Sequence, residues 1–389
     1  MIHLKQMLPS KGAFWLVLIH FLISLSMAIL APVYPAYLKT FVGTDAAVGY
    51  VVSFTAAILL IGALSTEKLL KYYQRKNLLV GALVFFTLSY YGLMIVQNTI
   101  QLLLLLFVRE IAIIISFLII GLYVKDSVIN TKTLGKTEGF YFTFLNLAWL
   151  IGPLLGGSLS ETLNLNTVFL ISSFFSLIGL ILVITHVSSK QIPYKDGHHF
   201  FSNLKDFFLN KNLTLLYLTS IGLAIWWATI YTYLPLYFTE LGVSETIIGY
   251  TLFLIVIPLI LLEMSVGKWS DKFGTKKFFI AGFLIVGLVS GLIYLTQNIT
   301  VIIILLVLSC VGVALVEPLR ETYFFKTVPK KNQTRLYGVF ATGFNFGYLI
   351  GPAILSSILA ISNFKILFLT TSLFMILFGI TSMFIKDTQ

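Results

Sequence analysis

Twelve stretches of about twenty mostly apolar residues follow one another along the chain, and each is long enough to cross a membrane as a helix. Only 11% of the 389 residues are charged, against about 25% in a typical soluble domain. The excess apolar surface must face lipid, so we predict an all-α membrane protein. The predicted transmembrane spans are 13–38, 46–66, 77–96, 100–124, 137–160, 165–187, 212–239, 244–266, 277–297, 299–325, 334–361 and 364–385.

The basic residues indicate the orientation of these spans. Of the 26 Lys and Arg residues, 22 lie on the side that also holds both termini, whereas Lys39 and Lys365 lie on the other. Cytoplasmic loops carry an excess of Lys and Arg. We therefore predict a multi-pass protein of the cell membrane with both termini in the cytoplasm, and we attribute the net charge of +11 to this bias rather than to a nucleic-acid partner.

The two halves of the chain repeat each other at an offset of about 200 residues. Gly49-Tyr50 recurs as Gly249-Tyr250, and 139–159 aligns with 338–358 through Gly, Thr, Asn, Leu-Ile-Gly-Pro and Ser. Six spans per half make the copies parallel, a transporter layout in which substrate binds near the midplane between the halves. We predict two six-helix bundles related by a pseudo-two-fold axis along the membrane normal. The predicted domains are an N-terminal bundle (1–187), a cytoplasmic linker with an amphipathic segment (188–211) and a C-terminal bundle (212–389).

Residues for metal binding or covalent chemistry are scarce. Cys310 is the single cysteine and lies in an apolar run, which excludes an intramolecular disulfide and a cysteine metal cluster. His198 and His199 are adjacent loop histidines in the linker, a setting more typical of solvated side chains than of a metal site. The histidines are otherwise scattered, without a clustered nucleophile and base. We predict no metal, no cofactor and no enzymatic activity.

The loop between the eighth and ninth spans carries a specific motif, since residues 267–277 read GKWSDKFGTKK. This resembles the cytoplasmic loop signature of the major facilitator superfamily, Gly-x-x-x-Asp-(Arg/Lys)-x-Gly-x-(Arg/Lys)-(Arg/Lys). The resemblance implies a gating role for Gly267, Asp271, Lys272 and Gly274. We expect Asp271 to satisfy free N–H groups at the start of a neighbouring helix.

The equivalent loop of the first half departs from this signature. Thr66, Leu70 and Tyr73 stand where the family has Gly, Asp and Gly. The family usually keeps the first copy better than the second. We therefore expect an asymmetric latch in this chain, carried mainly by the second half.

The fifth span carries a second motif, because residues 139–157 read GFYFTFLNLAWLIGPLLGG. This resembles the family's antiporter signature, Gly-x8-Gly-x3-Gly-Pro-x2-Gly-Gly, with Ala148 in place of one Gly. In the family the pattern is associated with proton-coupled efflux. Small residues also allow close helix packing in lipid, and packing alone is the alternative reading. The motif residues are Gly139, Gly152, Pro153, Gly156 and Gly157.

Ionisable residues lie inside several spans, where each charge costs about 2.5–3.5 kcal/mol on insertion scales. Arg109 resembles the arginine of the family's fourth-helix motif, which is linked to proton transfer. Adjacent residues point about 100° apart on a helix, so we predict different partners for Arg109 and Glu110. Glu317 is the first choice for a protonatable carboxylate, and Arg320 could instead pair with Glu321. The predicted proton-coupling and cavity residues are Arg109, Glu110, Glu317, Arg320 and His20.

Aromatic and amide side chains supply the predicted substrate contacts. The first and seventh helices line the cavity in this family, so Tyr37, Trp226 and Tyr233 are expected to hold an apolar or cationic ligand by stacking and cation–π contact. Asn146 and Asn345 are expected to add polar contacts, although both could simply bond between helices.

The predicted function is secondary active transport by alternating access, and most specifically proton-coupled efflux of lipophilic compounds or drugs. The partners are a small-molecule substrate, protons and the lipid bilayer, and the proton gradient supplies the energy to a functional monomer. The alternative is an uptake symporter or facilitator for a sugar or another small metabolite. A membrane-embedded enzyme and a non-transporting receptor or assembly factor are the readings from other classes.

Overall fold

The computed structural model describes residues 11–126, 131–188 and 200–387. Within these ranges the secondary structure is helical, and eleven helices are long and apolar enough to cross a membrane. A shorter apolar helix, Gly12–Ala28, precedes them and begins the first predicted span. The predicted all-α membrane fold is therefore confirmed, whereas His198 and His199 of the linker lie outside the described residues.

The first half of the chain supplies six spans from seven helices. Asn98 and Asn164 fix two helix starts, because their Oδ1 atoms accept hydrogen bonds from the backbone N–H groups of Gln101 and Thr167 at 3.0 and 2.9 Å. The helices are α1 Lys11–Ala28, α2 Tyr34–Val42, α3 Asp45–Tyr72, α4 Arg75–Ile95, α5 Thr99–Asp126, α6 Thr131–Thr162 and α7 Leu165–His186.

The second half repeats this arrangement after a short additional helix, α8. Asn298 and Asn363 take the places of Asn98 and Asn164 as N-caps, each accepting from a backbone N–H three residues on. The helices are α8 Phe200–Phe208, α9 Lys211–Ala228, α10 Leu234–Glu240, α11 Glu245–Phe273, α12 Thr275–Gly291, α13 Ile299–Thr327, α14 Lys330–Leu359 and α15 Phe364–Ser382.

The first span is not the continuous helix predicted over 13–38, because α1 ends at Ala28 and α2 begins at Tyr34. Pro32 lacks an N–H group, and its ring would clash with the carbonyl four residues earlier, at Ala28. Residues 29–33 instead form tight turns, in which the Ala31 N–H donates to the Ala28 carbonyl at 3.1 Å. The break exposes backbone atoms of α1 to close approach by another helix.

The seventh span is interrupted in a related way. A π-helical turn, Thr229–Tyr233, separates α9 from α10, and the Leu234 N–H donates to the Thr229 carbonyl five residues earlier. We attribute this turn to Pro235, whose ring would clash with the Tyr231 carbonyl in a regular α-helix. Such π-turns are rare and often occur at functional sites. The sequence predicts the span but not this change of register.

The described residues form two compact units. The helices α3 and α11 contribute residues to both units, so each unit takes a helix end from the other half of the sequence. The predicted domain limits of 1–187, 188–211 and 212–389 stay a prediction. The first unit comprises Met1–Phe41, Ile58–Tyr194 and Gly242–Phe253, and the second comprises Val42–Ala57, Lys195–Leu241 and Leu254–Gln389.

The sequence repeat recurs as the same helix contact in each unit. In the first unit, a Cβ at Gly157 of α6 would lie 3.3 Å from the Cα of Gly249 in α11. In the second unit, a Cβ at Gly49 of α3 would strike the Oγ of Ser356 in α14. Ser356 is the repeat equivalent of Gly157, and Gly249 is that of Gly49. The duplication thus accounts for both close approaches.

The short helix α8 packs against α9 and α14 within the second unit. Phe207 is fully buried, and the ring of Phe208 lies 5.1 Å from that of Tyr217 in α9. Asp206 accepts from Arg335 at the start of α14 at 2.6 Å. The amphipathic segment predicted in the linker therefore forms a helix, with one apolar residue in the core of this unit.

Candidate functional site

The first charged site lies on α5 in the first unit. Arg109 Nη1 donates to Glu110 Oε1 at 2.9 Å, and the two residues are only 5% and 7% exposed. The prediction that these neighbours have different partners is wrong. The long arginine side chain reaches its neighbour despite the 100° separation on the helix. Each of the two buried charges is thus compensated by the other, and an unpaired buried charge would be strongly destabilising.

Aromatic rings surround the Arg109 guanidinium. Its central carbon lies 5.4 Å from the ring centroid of Phe86 and 5.7 Å from those of Tyr34 and Tyr90, within cation–π distance. The Tyr90 hydroxyl donates to Ser26 Oγ of α1 at 3.0 Å. Residues from α1, α2 and α4 therefore hold the arginine of α5 in one orientation.

The second charged site lies on α13 in the second unit. Glu317 is partly exposed, and its Oε2 accepts from Trp227 Nε1 at 3.0 Å. Within the described part of the chain, no cation lies at ion-pair distance from this carboxylate. The Trp227 ring at the end of α9 stacks on Tyr231 of the π-helical turn, with 5.5 Å between the ring centroids. A carboxylate with one donor can accept a proton or a cationic group.

Arg320 and Glu321 follow on the same helix with separate contacts. The Arg320 guanidinium lies 5.4 Å from the ring centroid of Phe344 and 6.0 Å from that of Phe340, both in α14. Glu321 accepts a hydrogen bond from the Tyr337 hydroxyl at 3.0 Å. The suggested pairing of Arg320 with Glu321 does not form at ion-pair distance among the described residues.

The predicted substrate residues fall into two groups. Tyr37 and Tyr233 are buried, and their hydroxyls donate to the carbonyls of Leu93 and Pro352 at 2.6 and 2.7 Å. Trp226 is fully buried in the second unit. Asn146 in α6 and Asn345 in α14 are partly exposed at repeat-equivalent positions. Their role in substrate binding stays a prediction.

His20 lies on α1 in the first unit and is 3% exposed. Its ring centroid is 4.9 Å from that of Phe117 in α5. The ring therefore packs in the protein core between two spans. Its role in proton transfer stays a prediction, and no group of three potential metal-binding His, Cys, Asp or Glu residues occurs in residues 11–126, 131–188 and 200–387.

The signature loop, residues 267–277, is mostly helical: it comprises the last turns of α11, Gly274 and the first residues of α12. Asp271 accepts from Lys326 Nζ of α13 at 2.8 Å rather than from a helix N-terminus. Gly274 adopts a φ of 84°, a conformation that favours glycine, and its N–H closes the last turn of α11. Gly267 has open space beside it, and Lys272 is exposed with its Nζ 5.2 Å from the Phe273 ring. The gating role of these residues stays a prediction.

The antiporter-like motif of α6 faces two different neighbours. A Cβ at Gly152 would lie 2.8 Å from the carbonyl carbon of Ala28, and one at Gly156 would overlap the carbonyl oxygen of Ile29. Gly157 approaches α11 on another face. The motif therefore fits the break after α1. Pro153 lies within the continuous helix α6, and Gly139, the first residue of the motif, lies about two turns after the start of that helix.

The family of the chain follows from its match to a family model. The model described as the Major Facilitator Superfamily matches residues 16–262 and 227–389, which together span nearly the whole chain. The chain belongs to the Major Facilitator Superfamily. It is therefore a membrane transporter rather than an enzyme, and the resemblance to this superfamily is confirmed.

Relatives in the superfamily have different names. The chain is 24% identical over 384 residues to an uncharacterized MFS-type transporter of Methanocaldococcus jannaschii, covering 96% of this chain and 97% of that protein. It is 24% identical over 332 residues to the multi-drug resistance efflux pump PmrA of Streptococcus pneumoniae, covering 77% and 76%.

Two solved transporter structures share the fold. A POT family transporter in complex with 5-aminolevulinic acid has a TM-score of 0.81 at 13% identity, covering 96% of this chain and 97% of that one. The nucleoside transporter NupG has a TM-score of 0.74 at 14% identity, covering 96% and 98%. At such identities the likeness shows the fold alone.

The substrate residues predicted from the sequence do not include Trp227 and Tyr231. They include the neighbouring Trp226, which is fully buried, whereas Trp227 contacts Glu317. The i, i+4 spacing of Trp227 and Tyr231, just before Pro235, is the signal that could have identified the pair.

Replacing Trp227 by phenylalanine is expected to lower the stability of the transporter by about 1.5–3 kcal/mol more than the same change at Trp226, because a hydrogen bond to a charged group is lost. Trp226 is the matched control, since its buried Nε1 has no hydrogen-bond partner in the described structure. Denaturation of both purified variants in detergent measures the difference. Equal destabilisation would show that the Glu317 contact contributes nothing.

Proposed function

We propose that this superfamily transporter exports lipophilic small molecules in exchange for protons by alternating access. The observation that carries the proposal is Glu317, a carboxylate inside a membrane span that has one hydrogen-bond donor among the described residues, Trp227, whose ring stacks on Tyr231. Ionisable residues in such positions commonly mark proton relays or substrate pathways. The aromatic rings would contact an apolar or cationic substrate.

The direction of transport is supported by two further features. The α6 motif resembles the family's antiporter signature, and PmrA, named a multi-drug resistance efflux pump, is a relative at 24% identity. The buried Arg109–Glu110 pair would supply a second group for proton coupling in the first unit. We propose that the protein works as a monomer in the cell membrane, with both termini in the cytoplasm.

The proton gradient is sufficient to drive such export. One proton crossing about 150 mV releases roughly 3.5 kcal/mol, at about 2.3 kcal/mol per 100 mV. Because about 1.4 kcal/mol corresponds to a tenfold ratio, one proton can sustain a substrate gradient of a few hundred-fold. No nucleotide or other cofactor is needed in this scheme.

Replacing Glu317 by glutamine tests the proposal, because glutamine keeps the size and the acceptor for Trp227 but cannot exchange a proton. In proteoliposomes with an imposed pH gradient, we expect the pH-driven flux of a lipophilic substrate panel to fall at least about tenfold. A tenfold change corresponds to a free-energy difference of roughly 1.4 kcal/mol. Counterflow without a pH gradient should continue.

The matched control is Glu240→Gln, which makes the same change at an exposed carboxylate of the second unit. Its pH-driven flux should equal that of the wild type. Wild-type flux that ignores the pH gradient would exclude proton coupling. Flux of a sugar or other polar metabolite into right-side-out vesicles would instead support the uptake function.

A further inference from the structure

The residues after α15 form a strap across one end of the second unit. This C-terminal strap, residues 383–387, makes hydrogen bonds to α9, α12 and α13. Its Ile385 side chain is 1% exposed, which places an apolar anchor in the protein core. The Lys386 backbone is bonded on both sides: its N–H donates to Asn212 Oδ1 of α9 at 3.0 Å, and its carbonyl accepts from the Tyr323 hydroxyl of α13 at 2.8 Å.

The last residue of the strap lies at the start of α12. Asp387 Oδ1 accepts from the Lys276 N–H at 3.2 Å. Gly274, the N-cap residue of α12, has no side chain with which to cap the helix, and a Cβ there would collide with the Asp387 carboxylate. A carboxylate at a helix N-terminus satisfies a free N–H group and interacts favourably with the helix dipole. Asp387 therefore supplies a helix cap of the kind predicted for Asp271.

The signature loop is consequently held by two carboxylates that act on different helices. Asp271, from the loop itself, pairs with Lys326 of α13. Asp387, from the strap, binds the end of the loop where α12 begins. Between them, the Gly274 N–H donates to the Ser270 carbonyl at 2.9 Å and closes α11. The loop conformation thus depends on a residue more than a hundred positions later in the chain.

We propose that Asp387 is a positioning residue for transport: through the C-terminal strap it fixes the signature loop, and thereby sets the rate at which the transporter changes conformation. This inference rests on the proposed alternating-access cycle. The ends of α9, α12 and α13 must move together if the second unit is to act as a rigid body, and the strap bonds all three. Substrate affinity, which does not involve the strap, is unaffected.

The test compares Asp387→Ala with Asp387→Asn and with Lys386→Ala in purified, reconstituted protein. In Asp387→Ala the Lys276 amide should exchange its hydrogen about tenfold faster, the scale expected for a lost N-cap. The maximal transport rate should fall severalfold while KM stays unchanged. Asp387→Asn keeps an acceptor oxygen and should restore most of both values. Lys386→Ala is the matched control, because only the backbone of Lys386 makes the strap contacts.

Two results would overturn the inference. Unchanged amide exchange in Asp387→Ala would show that the cap does not form, and faster exchange with an unchanged maximal rate would show that the cap is structural only. Tyr323→Phe, which removes a different bond of the strap, provides the same comparison if Asp387→Ala fails to fold. The amide measurement is independent of transport, so wild-type protein without proton coupling would refute the proposed function while leaving the strap test intact.

Discussion

Replacing Arg109 by alanine is expected to lower the free energy of unfolding by about 3–5 kcal/mol, because a buried charge would lose its partner. The side chains of Arg109 and Glu110 are only 6% and 9% exposed, and their 2.9 Å contact is the sole ion pair of either residue in the described structure. The rings of Phe86, Tyr34 and Tyr90 would also lose the guanidinium that they surround. Unfolding by sodium dodecyl sulfate in mixed micelles measures the change.

The double variant Arg109→Ala/Glu110→Gln separates the charge from the packing. Removing both charges should recover more than half of the lost stability, since no uncompensated carboxylate remains. Lysine at position 109 should give an intermediate value, because it keeps the charge but loses the planar group that stacks on the rings. Lys39→Ala, at a less buried cation of the same unit, is the control. A double variant as unstable as Arg109→Ala would assign the effect to the aromatic contacts.

The spans and their duplication could be predicted because both depend on local sequence. Apolar length fixes a span through the thickness of the bilayer, and the Asn caps and glycine positions of the second half repeat those of the first. Apolar length did not predict the interruptions inside the first and seventh spans. The effects of Pro32 and Pro235 extend over the preceding turn, and apolar composition is the same for an α-helix, a tight turn and a π-helical turn.

The sequence allowed the charged residues of both sites to be predicted, but not the atoms that they contact. An ionisable residue in an apolar run is visible in the sequence, so Arg109 and Glu317 could be selected. Which atoms they meet depends on side-chain reach and on distant helices. The Arg109 side chain donates to Glu110, the next residue, and Glu317 accepts a hydrogen bond from Trp227 rather than from Trp226. For the same reason, no local pattern identifies Asp387 as the cap of α12.

Replacing Gly156 by alanine is expected to have the second large effect, a loss of about 3 kcal/mol, at the upper end of the usual range for overpacking. The new Cβ would overlap the Ile29 carbonyl oxygen and lie 2.7 Å from the carbonyl carbon. Both are backbone atoms in the turn that follows α1, so no change of rotamer can relieve the contact. Either α1 or α6 must move, and we expect lower thermal stability in detergent together with lost transport.

Gly81→Ala in α4 is the matched control, because a Cβ there would have no atom within 4 Å. Alanine is favoured over glycine in a helix by about 0.8–1.0 kcal/mol, so this variant should be at least as stable as the wild type. The comparison also bears on the two readings of the α6 motif. If Gly156→Ala were as stable as Gly81→Ala but did not transport, the glycine would be needed for movement rather than for packing. If both variants were stable and active, the close approach of α6 to the break after α1 would be wrong. Loss of stability and transport together would instead show that this glycine is needed for packing. Part of the antiporter-like motif would then be explained by the close approach of α6 to the break at Pro32.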